Sequence, residues 1–246
     1  MRHRLPVADL REGTRRLERA AAHHLVHVLR LEPGDTFVAF DPVSGREADG
    51  VIVASDGAEM RVQLGRERSG AMPNGREIVW IQALAKADKC DAVVRDATEL
   101  GATRIILAAA QRSVVRLEAG RAQARRARWE RIAREAARQC GRSDAPTIDA
   151  PVPWLEALDG IPEFYARFCL YERAEEPLAP ALFDELARNA PLAFACGPEG
   201  GLDPVEAAHA RGQCWQLVSL GARILRTETV AAAVLGAVQV WGGLGL

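Results

Sequence analysis

Lysine is nearly missing from this chain of 246 residues: Lys86 and Lys89 are the only two, so arginine carries almost all of the basic charge. An arginine bias of this kind arises from coding composition and carries no functional reading by itself. The net charge is −1, so no overall excess of either sign points toward or away from nucleic acid, and the distribution of charge has to decide. Cysteine is sparse. Cys90, Cys140, Cys169, Cys196 and Cys214 are odd in number, contain no C-x-x-C pair and mostly sit in apolar runs. That excludes a disulfide framework and predicts buried, reduced thiols in a cytoplasmic setting. His3, His23, His24, His27 and His209 have no cysteine or acid at zinc-ligand spacing, so no metal site is expected. No apolar run has the length of a membrane span; the stretch from Val230 comes closest, but Gln239 and its glycines make it a packed helix. Met1 is followed by Arg-His-Arg with no apolar core of a signal peptide, so none is expected. Neither G-x-G-x-x-G nor G-x-x-x-x-G-K-[ST] occurs, which excludes the usual nucleotide fingerprints. There is no internal repeat.

What is present is enough apolar residue, 48%, for a real core, with 26% charged residues for solubility. Residues 1–72 read as a small β-rich module. A helix is expected over Leu17–Leu29, then strands over Asp35–Phe40, Ala48–Ala54 and Glu59–Leu64, separated by turn signals. Short strands at this spacing predict a small barrel. The polar stretch Arg66–Arg76 reads as a linker, so the second domain spans 73–246. There strands and helices alternate: a strand over Ile78–Leu84, a helix over Asp88–Leu100 stopped by Gly101, and a strand over Arg104–Ala109. A long helix over Glu118–Gly141 follows, then strands over Phe164–Leu170, Pro191–Cys196 and Trp215–Leu220. The alternation predicts an α/β fold with a mostly parallel sheet covered on both faces.

The most informative segment is Gly197-Pro198-Glu199-Gly200-Gly201-Leu202. An apolar strand precedes it. A helix start follows it, with Asp203 as N-cap, Pro204 at the first helical position and Glu206 completing a capping box. The plan repeats at Leu220-Gly221-Ala222-Arg223-Ile224-Leu225-Arg226, between a strand and a helix over Thr227–Trp241. Glycines let backbone amides approach a ligand, and helix N-termini favour negative charge. Two such turns at strand ends predict a cofactor cleft.

A second signal is basic. Between 121 and 142 eight arginines face only Glu130 and Glu135. At about 100° per residue, Arg131, Arg134, Arg138 and Arg142 share one helix face, opposite Trp129, Ala133, Ala136 and Cys140. Guanidinium groups present a planar donor fork suited to phosphate. With Arg2, Arg4 and further arginines near the start, each expected domain carries a basic region suited to RNA.

The phrases GPEGGL and LGARILRTET, taken together, resemble the SPOUT class of RNA methyltransferases. The resemblance is strongest to the bacterial family that methylates N3 of a uridine in 16S ribosomal RNA. It extends over nearly the whole chain, through Val28-Leu29-Arg30-Leu31, Asp88-Lys89, Ala97-Thr98-Glu99-Leu100-Gly101, Gln111-Arg112-Ser113-Val114-Val115-Arg116 and Gln139-Cys140-Gly141-Arg142. It departs from the pattern at Ala87 and Cys90, where glycine and methionine are usual, and at Val230, where alanine is. The resemblance implies a PUA-like β-barrel that holds RNA, followed by a parallel sheet with a deep trefoil knot. It implies S-adenosylmethionine as cofactor, a homodimer through the knot, and 16S rRNA or the small ribosomal subunit as partner, with no membrane. On this reading Glu172, Gly197, Gly200, Gly201, Leu220, Gly221, Ile224 and Leu225 wrap the cofactor. Arg226 and Glu199 are the candidates for catalysis, and Arg2, Arg4, Arg112, Arg116, Arg138 and Arg142 for RNA phosphates. Two other readings stay open: methylation of another RNA atom such as a ribose 2′-hydroxyl, and a non-catalytic RNA-binding or ribosome-assembly role.

Overall fold

The structure, a computed structural model, describes residues 3–7, 9–17, 22, 25, 30–41, 44–55, 60–70, 76–86, 88–113, 119–142 and 144–242. The chain forms two compact units, Met1–Met72 with Ala137–Ala145, and Pro73–Ala136 with Pro146–Leu246.

The first unit is a mixed sheet of β1 (His3–Pro6), β2 (Gly13–Arg16), β3 (Thr36–Asp41), β4 (Arg46–Ser55), β5 (Met60–Leu64) and β6 (Arg68–Ser69). The order is β1-β3-β4-β5-β2, with β6 also on β4; β1 and β3 are parallel and the other pairs antiparallel. Along β5 Met60, Val62 and Leu64 are buried while Arg61 and Gln63 face solvent, the alternation of a half-covered sheet. The buried side joins Leu5, Leu25, Phe37, Ile52 and Met60 in one core. Gly50 sits mid-strand because a Cβ there would lie 2.5 Å from the Phe37 ring. Two expectations are modified. Among the described strands the sheet path ends at β1 and β2, so no pairing closes a barrel. Part of the expected linker is paired as β6. The helix expected over Leu17–Leu29 lies almost entirely outside the described residues.

The second unit contains β7 (Ile78–Ala83), α1 (Lys89–Glu99), β8 (Arg104–Ala109), most of α2 (Ala119–Cys140), β9 (Thr147–Ile148), β10 (Val152–Pro153) and α3 (Trp154–Asp159). It continues with β11 (Ala166–Leu170), α4 (Leu178–Ala187), β12 (Leu192–Cys196), α5 (Pro204–Gly212), β13 (Gln216–Val218) and α6 (Thr227–Gly242). The strands form one parallel sheet in the order β10-β8-β7-β12-β11-β13, with β9 also on β8. Strands β7 and β12 are buried at every position, as continuous apolar runs between two helical layers must be. Alternate residues serve opposite faces. Ile78, Trp80, Phe168 and Phe194 join the core under α1, α2, α4 and α6, and Val79, Ile81 and Cys169 join the core under α3 and α5. Among the described residues no helix is long and apolar enough to cross a membrane.

Arg76, expected in the linker, is buried instead. Its guanidinium donates to the carbonyl oxygens of Leu186 at 3.1 Å and Ala190 at 3.3 Å, closing the C-terminal end of α4. Burial pulls its pKa down from the ordinary arginine value.

Phe194 is fully buried, its ring centroid 5.5 Å from that of Phe168 and 6.0 Å from that of Trp80. Phe194→Ala is expected to cost roughly 3–5 kcal/mol of stability. Urea unfolding read by circular dichroism checks it; an unchanged midpoint would contradict this description of the core.

Candidate cofactor cavity

The loops that leave the C-terminal ends of β11, β12 and β13 converge on a cavity of about 500 Å³. The first supplies Tyr171 and Glu172, the second Gly197 to Gly201, and the third Ser219 to Arg226. Lys89 from α1 and Thr227 and Val230 from α6 complete the wall. The floor is apolar, with Leu170, Val218 and Leu225, and the rim is polar. Ligands in open parallel sheets bind outside the carboxyl ends of the strands, where this cavity lies.

Every residue expected to hold a cofactor lies on this one cavity: Glu172, Gly197, Gly200, Gly201, Leu220, Gly221, Ile224 and Leu225. So do Glu199 and Arg226. The glycines have separate reasons. Gly201 has φ +69°, and a Cβ on it would sit 2.6 Å from Glu172 Oε1, so the Glu172 carboxylate rests directly on the loop backbone. A Cβ on Gly197 would sit 2.9 Å from the buried Leu202 side chain.

The loop after β12 ends in the expected helix start. Asp203 Oδ1 accepts from the Val205 amide at 3.0 Å, and Glu206 Oε2 from the Asp203 amide at 3.1 Å. Arg112 lies over the same loop, donating to the Gly200 carbonyl and to Asp203, each at 3.3 Å. It braces the glycine turn, and its guanidinium is partly spent there. Arg4 pairs with Glu47 at 2.7 Å and packs over the Phe40 ring. Arg142 is 6% exposed and pairs with Asp144 at 2.9 Å. These three expected phosphate ligands thus hold carboxylates within their own units, since a charge pattern in sequence does not reveal which acid folds against it. Arg138 is half-buried on α2. Arg2 and Arg116 lie outside the described residues. On α2, Arg131 and Arg134 are exposed while Trp129, Ala133 and Ala136 are buried, as the helical spacing predicts.

Glu199 is engaged. Its Oε1 accepts from the Lys86 amide at 3.1 Å and from Lys89 Nζ at 3.2 Å, and Lys89 also reaches Glu228 at 3.4 Å. Burial pushes the Glu199 carboxyl up, but backbone amides and the Lys89 ammonium outweigh it, leaving the pKa below the usual glutamate value. A carboxylate stabilised in this way is a weak base, and its contacts suit Glu199, one of the two catalytic candidates, to bracing the turn. Arg226 differs. It is exposed on the cavity wall and makes no ion pair among the described residues. The nearby acids Glu199 and Glu228 are both engaged by Lys89. Arg223, not singled out in the sequence, is a second exposed arginine on the wall.

Two further participants were missed. Thr227 is buried, and its hydroxyl donates to the Gly197 carbonyl at 2.8 Å. Gln82, fully buried in β7, donates to Thr227 Oγ1 at 2.8 Å. A polar residue at the end of an apolar strand was the available signal. Cys196 also lines the cavity, its Sγ 3.5 Å from Thr227 Oγ1, and burial pushes its thiol up to about 11. Its sulfur bears no disulfide, and neither do those of the other four cysteines; Cys90 and Cys169 are also buried, whereas Cys214 is exposed. Among the described residues no group of three or more His, Cys, Asp or Glu side chains could hold a metal ion.

A parallel α/β sheet with a glycine-walled cavity at its strand ends and an unpaired guanidinium on the cavity wall defines a cofactor-dependent enzyme domain of the doubly wound type. Residues 72–239 match the family described as the RNA methyltransferase domain, and residues 17–63 the RNA methyltransferase PUA domain. Ribosomal RNA small subunit methyltransferase E of Bacillus subtilis is 31% identical, the match covering 88% of this chain and 86% of that protein. The protein of the same name from Synechocystis is also 31% identical, covering 97% and 78%. A crystal structure of ribosomal RNA small subunit methyltransferase E from Neisseria gonorrhoeae bound to S-adenosyl methionine is 28% identical, superposes with a TM-score of 0.83 and covers 98% of both chains. The chain belongs to the RNA methyltransferase family that these proteins represent.

Two outcomes are expected. Gly201→Ala forces an L side chain into positive φ and onto Glu172, and should lower stability by about 1–2 kcal/mol in urea unfolding. Because the folded pKa of Glu199 is depressed, its stabilising contribution is present above the unfolded value and is lost as pH falls through the folded one. Amide exchange over residues 197–202 should therefore accelerate, after correction for intrinsic rates, on acidification below the ordinary glutamate range. Glu199→Gln should remove that acid-dependent component, and its persistence would reject the assignment.

Proposed function

We propose that this protein transfers a methyl group from S-adenosylmethionine to N3 of a uridine in 16S ribosomal RNA, acting on the small ribosomal subunit. The observation that carries the reading is the cavity itself: three strand-end loops with backbone exposed by glycine, and beside them Arg226, which has no ion pair among the described residues. The residues suit this cofactor. A volume of about 500 Å³ falls within the range of small-molecule sites. The apolar floor of Leu170, Val218 and Leu225 matches a base and a thioether chain, and the open backbone of the glycine turns offers hydrogen bonds to polar edges. Glu172 and the Glu199–Lys89 pair provide charges at the rim.

When bound, S-adenosylmethionine supplies an electrophilic methyl group on a sulfonium. Uridine N3 carries a proton and attacks poorly until it is lost. Loss of that proton to solvent water places negative charge on the uracil oxygens, and the Arg226 guanidinium on the cavity wall stabilises it. The loops contribute orientation by holding the reacting atoms in line. Glu199 keeps its carboxylate on Lys86 and Lys89 and fixes the loop beside Arg226. Arg131 and Arg134 on α2 offer guanidinium groups to the RNA backbone.

The proposal extends to a cytoplasmic homodimer and a trefoil knot of the SPOUT type. Ile224 and Val240, 86% and 64% exposed, are apolar surface that a second copy would cover. Strand β13 lies outermost beside β11, yet α6, which follows it, returns to pack on α1. Chain order of this kind supports a threaded C-terminus.

The test is incubation with labelled S-adenosylmethionine and small subunits from cells lacking the gene, followed by nucleoside analysis. Label in N3-methyluridine is expected. Label in a 2′-O-methylated nucleoside would replace the target atom, and cofactor binding without transfer to subunits or free 16S RNA would reject the catalytic reading. Arg226→Ala should reduce kcat by about a hundredfold or more while leaving the unfolding midpoint near wild type; wild-type activity would remove Arg226 from the site.

A further inference from the structure

Strand β7 is buried at all six positions and carries one amide, that of Gln82. Its surroundings fix its orientation. The Trp80 indole, a donor only, gives its proton to Gln82 Oε1 at 3.2 Å. Gln82 Nε2 then faces Thr227 Oγ1 at 2.8 Å and the Ala83 carbonyl at 3.1 Å, and lies 3.5 Å from the Gly197 carbonyl, a longer direct contact to the same loop. The Thr227 hydroxyl, having accepted from Gln82, passes its own proton to the Gly197 carbonyl at 2.8 Å. One directed chain of hydrogen bonds thus runs from the sheet centre through the first residue of α6 to the first glycine of the loop after β12.

We propose that Gln82 and Thr227 act as one positioning unit, which locks the Gly197–Gly201 loop to the start of α6 and thereby sets Arg226. Both cavity loops that meet here are irregular, and they hold their shape through a few fixed points. Thr227 follows Arg226 directly, so anchoring its hydroxyl fixes the origin of the Arg226 side chain. Gln82 fixes the hydroxyl in turn, because its second nitrogen position is occupied by the Ala83 carbonyl and its oxygen by Trp80. Neither residue needs to touch the substrate to do this. A buried polar group is costly unless paired, and here every member of the chain is paired, so removing one takes from its neighbour the shortest of its hydrogen bonds. The kinetic consequence rests on the methyl-transfer reading; the mechanical coupling does not.

Thr227→Val and Gln82→Met preserve volume and remove the chain at either link, and Thr227→Ser restores the hydroxyl. In the ligand-free full-length protein, hydrogen exchange should accelerate about tenfold in both variants over residues 197–202 and 226–231 together, with β8 unchanged. The double variant should exchange no faster than either single variant. With S-adenosylmethionine and small subunits, kcat should fall about tenfold or more with a smaller change in KM for the cofactor, and Thr227→Ser should recover most of it. Acceleration in one loop alone, equal acceleration in β8, additive effects, or an unchanged kcat in an active background would each overturn the proposal. If the wild-type protein transfers no methyl group, the functional reading fails, and the exchange pattern still decides whether the two loops are coupled.

Discussion

The cavity depends on one short hydrogen bond, from the Thr227 hydroxyl to the carbonyl of Gly197. Parallel sheets present their strand ends as separate loops, and nothing in the ladder of backbone bonds ties those loops to one another. Here the loops after β11 and β13 are joined by backbone, the Ser219 amide donating to the Glu176 carbonyl at 2.8 Å, and the loop after β12 is tied in by a side chain at the first residue of α6, supported from below by Gln82. The strand-end bond of Gly197 is thereby satisfied inward, toward the protein. The same loop is closed at its other end by the Asp203–Glu206 capping box, whose Glu206 also accepts from the Gln111 amide at 2.8 Å. Two polar anchors thus bracket five residues that have little apolar contact of their own.

Charge is distributed along this frame in a consistent way. Groups that hold the loop are paired: Glu199 with Lys89, Arg112 with Asp203. Arg226, on the wall, is left without an ion pair among the described residues, as is Arg223 beside it. Pairing lowers the reactivity of a side chain, because its charge is already compensated before any ligand arrives. An uncompensated guanidinium beside a deep apolar floor is available to charge that develops in a reaction.

Much of this was legible in the sequence. The apolar runs Ile78–Ala83 and Leu192–Cys196 announced buried parallel strands, and Asp203-Pro204 with Glu206 announced the helix that α5 begins. The two glycine phrases located two of the three loops of the cavity wall. What was hidden were partnerships between residues far apart in the chain. The acids that neutralise Arg4 and Arg112 carry no local mark of that role. Gln82 and Thr227 are 145 positions apart, and no periodicity joins them. Strands of two residues, such as β9 and β10, hold too little pattern to be read. Helix α4 was missed because its first turn contains Pro180, which reads as a break although a first turn tolerates it.

The depth of Cys196 has a consequence for chemical side reactions. A sulfonium methyl donor alkylates thiolates readily, and this sulfur lies in the wall of the cavity proposed to hold one. Burial pushes the thiol up to about 11, so near neutrality it stays protonated and unreactive. The same low-polarity floor that suits the donor therefore protects the protein from methylating itself.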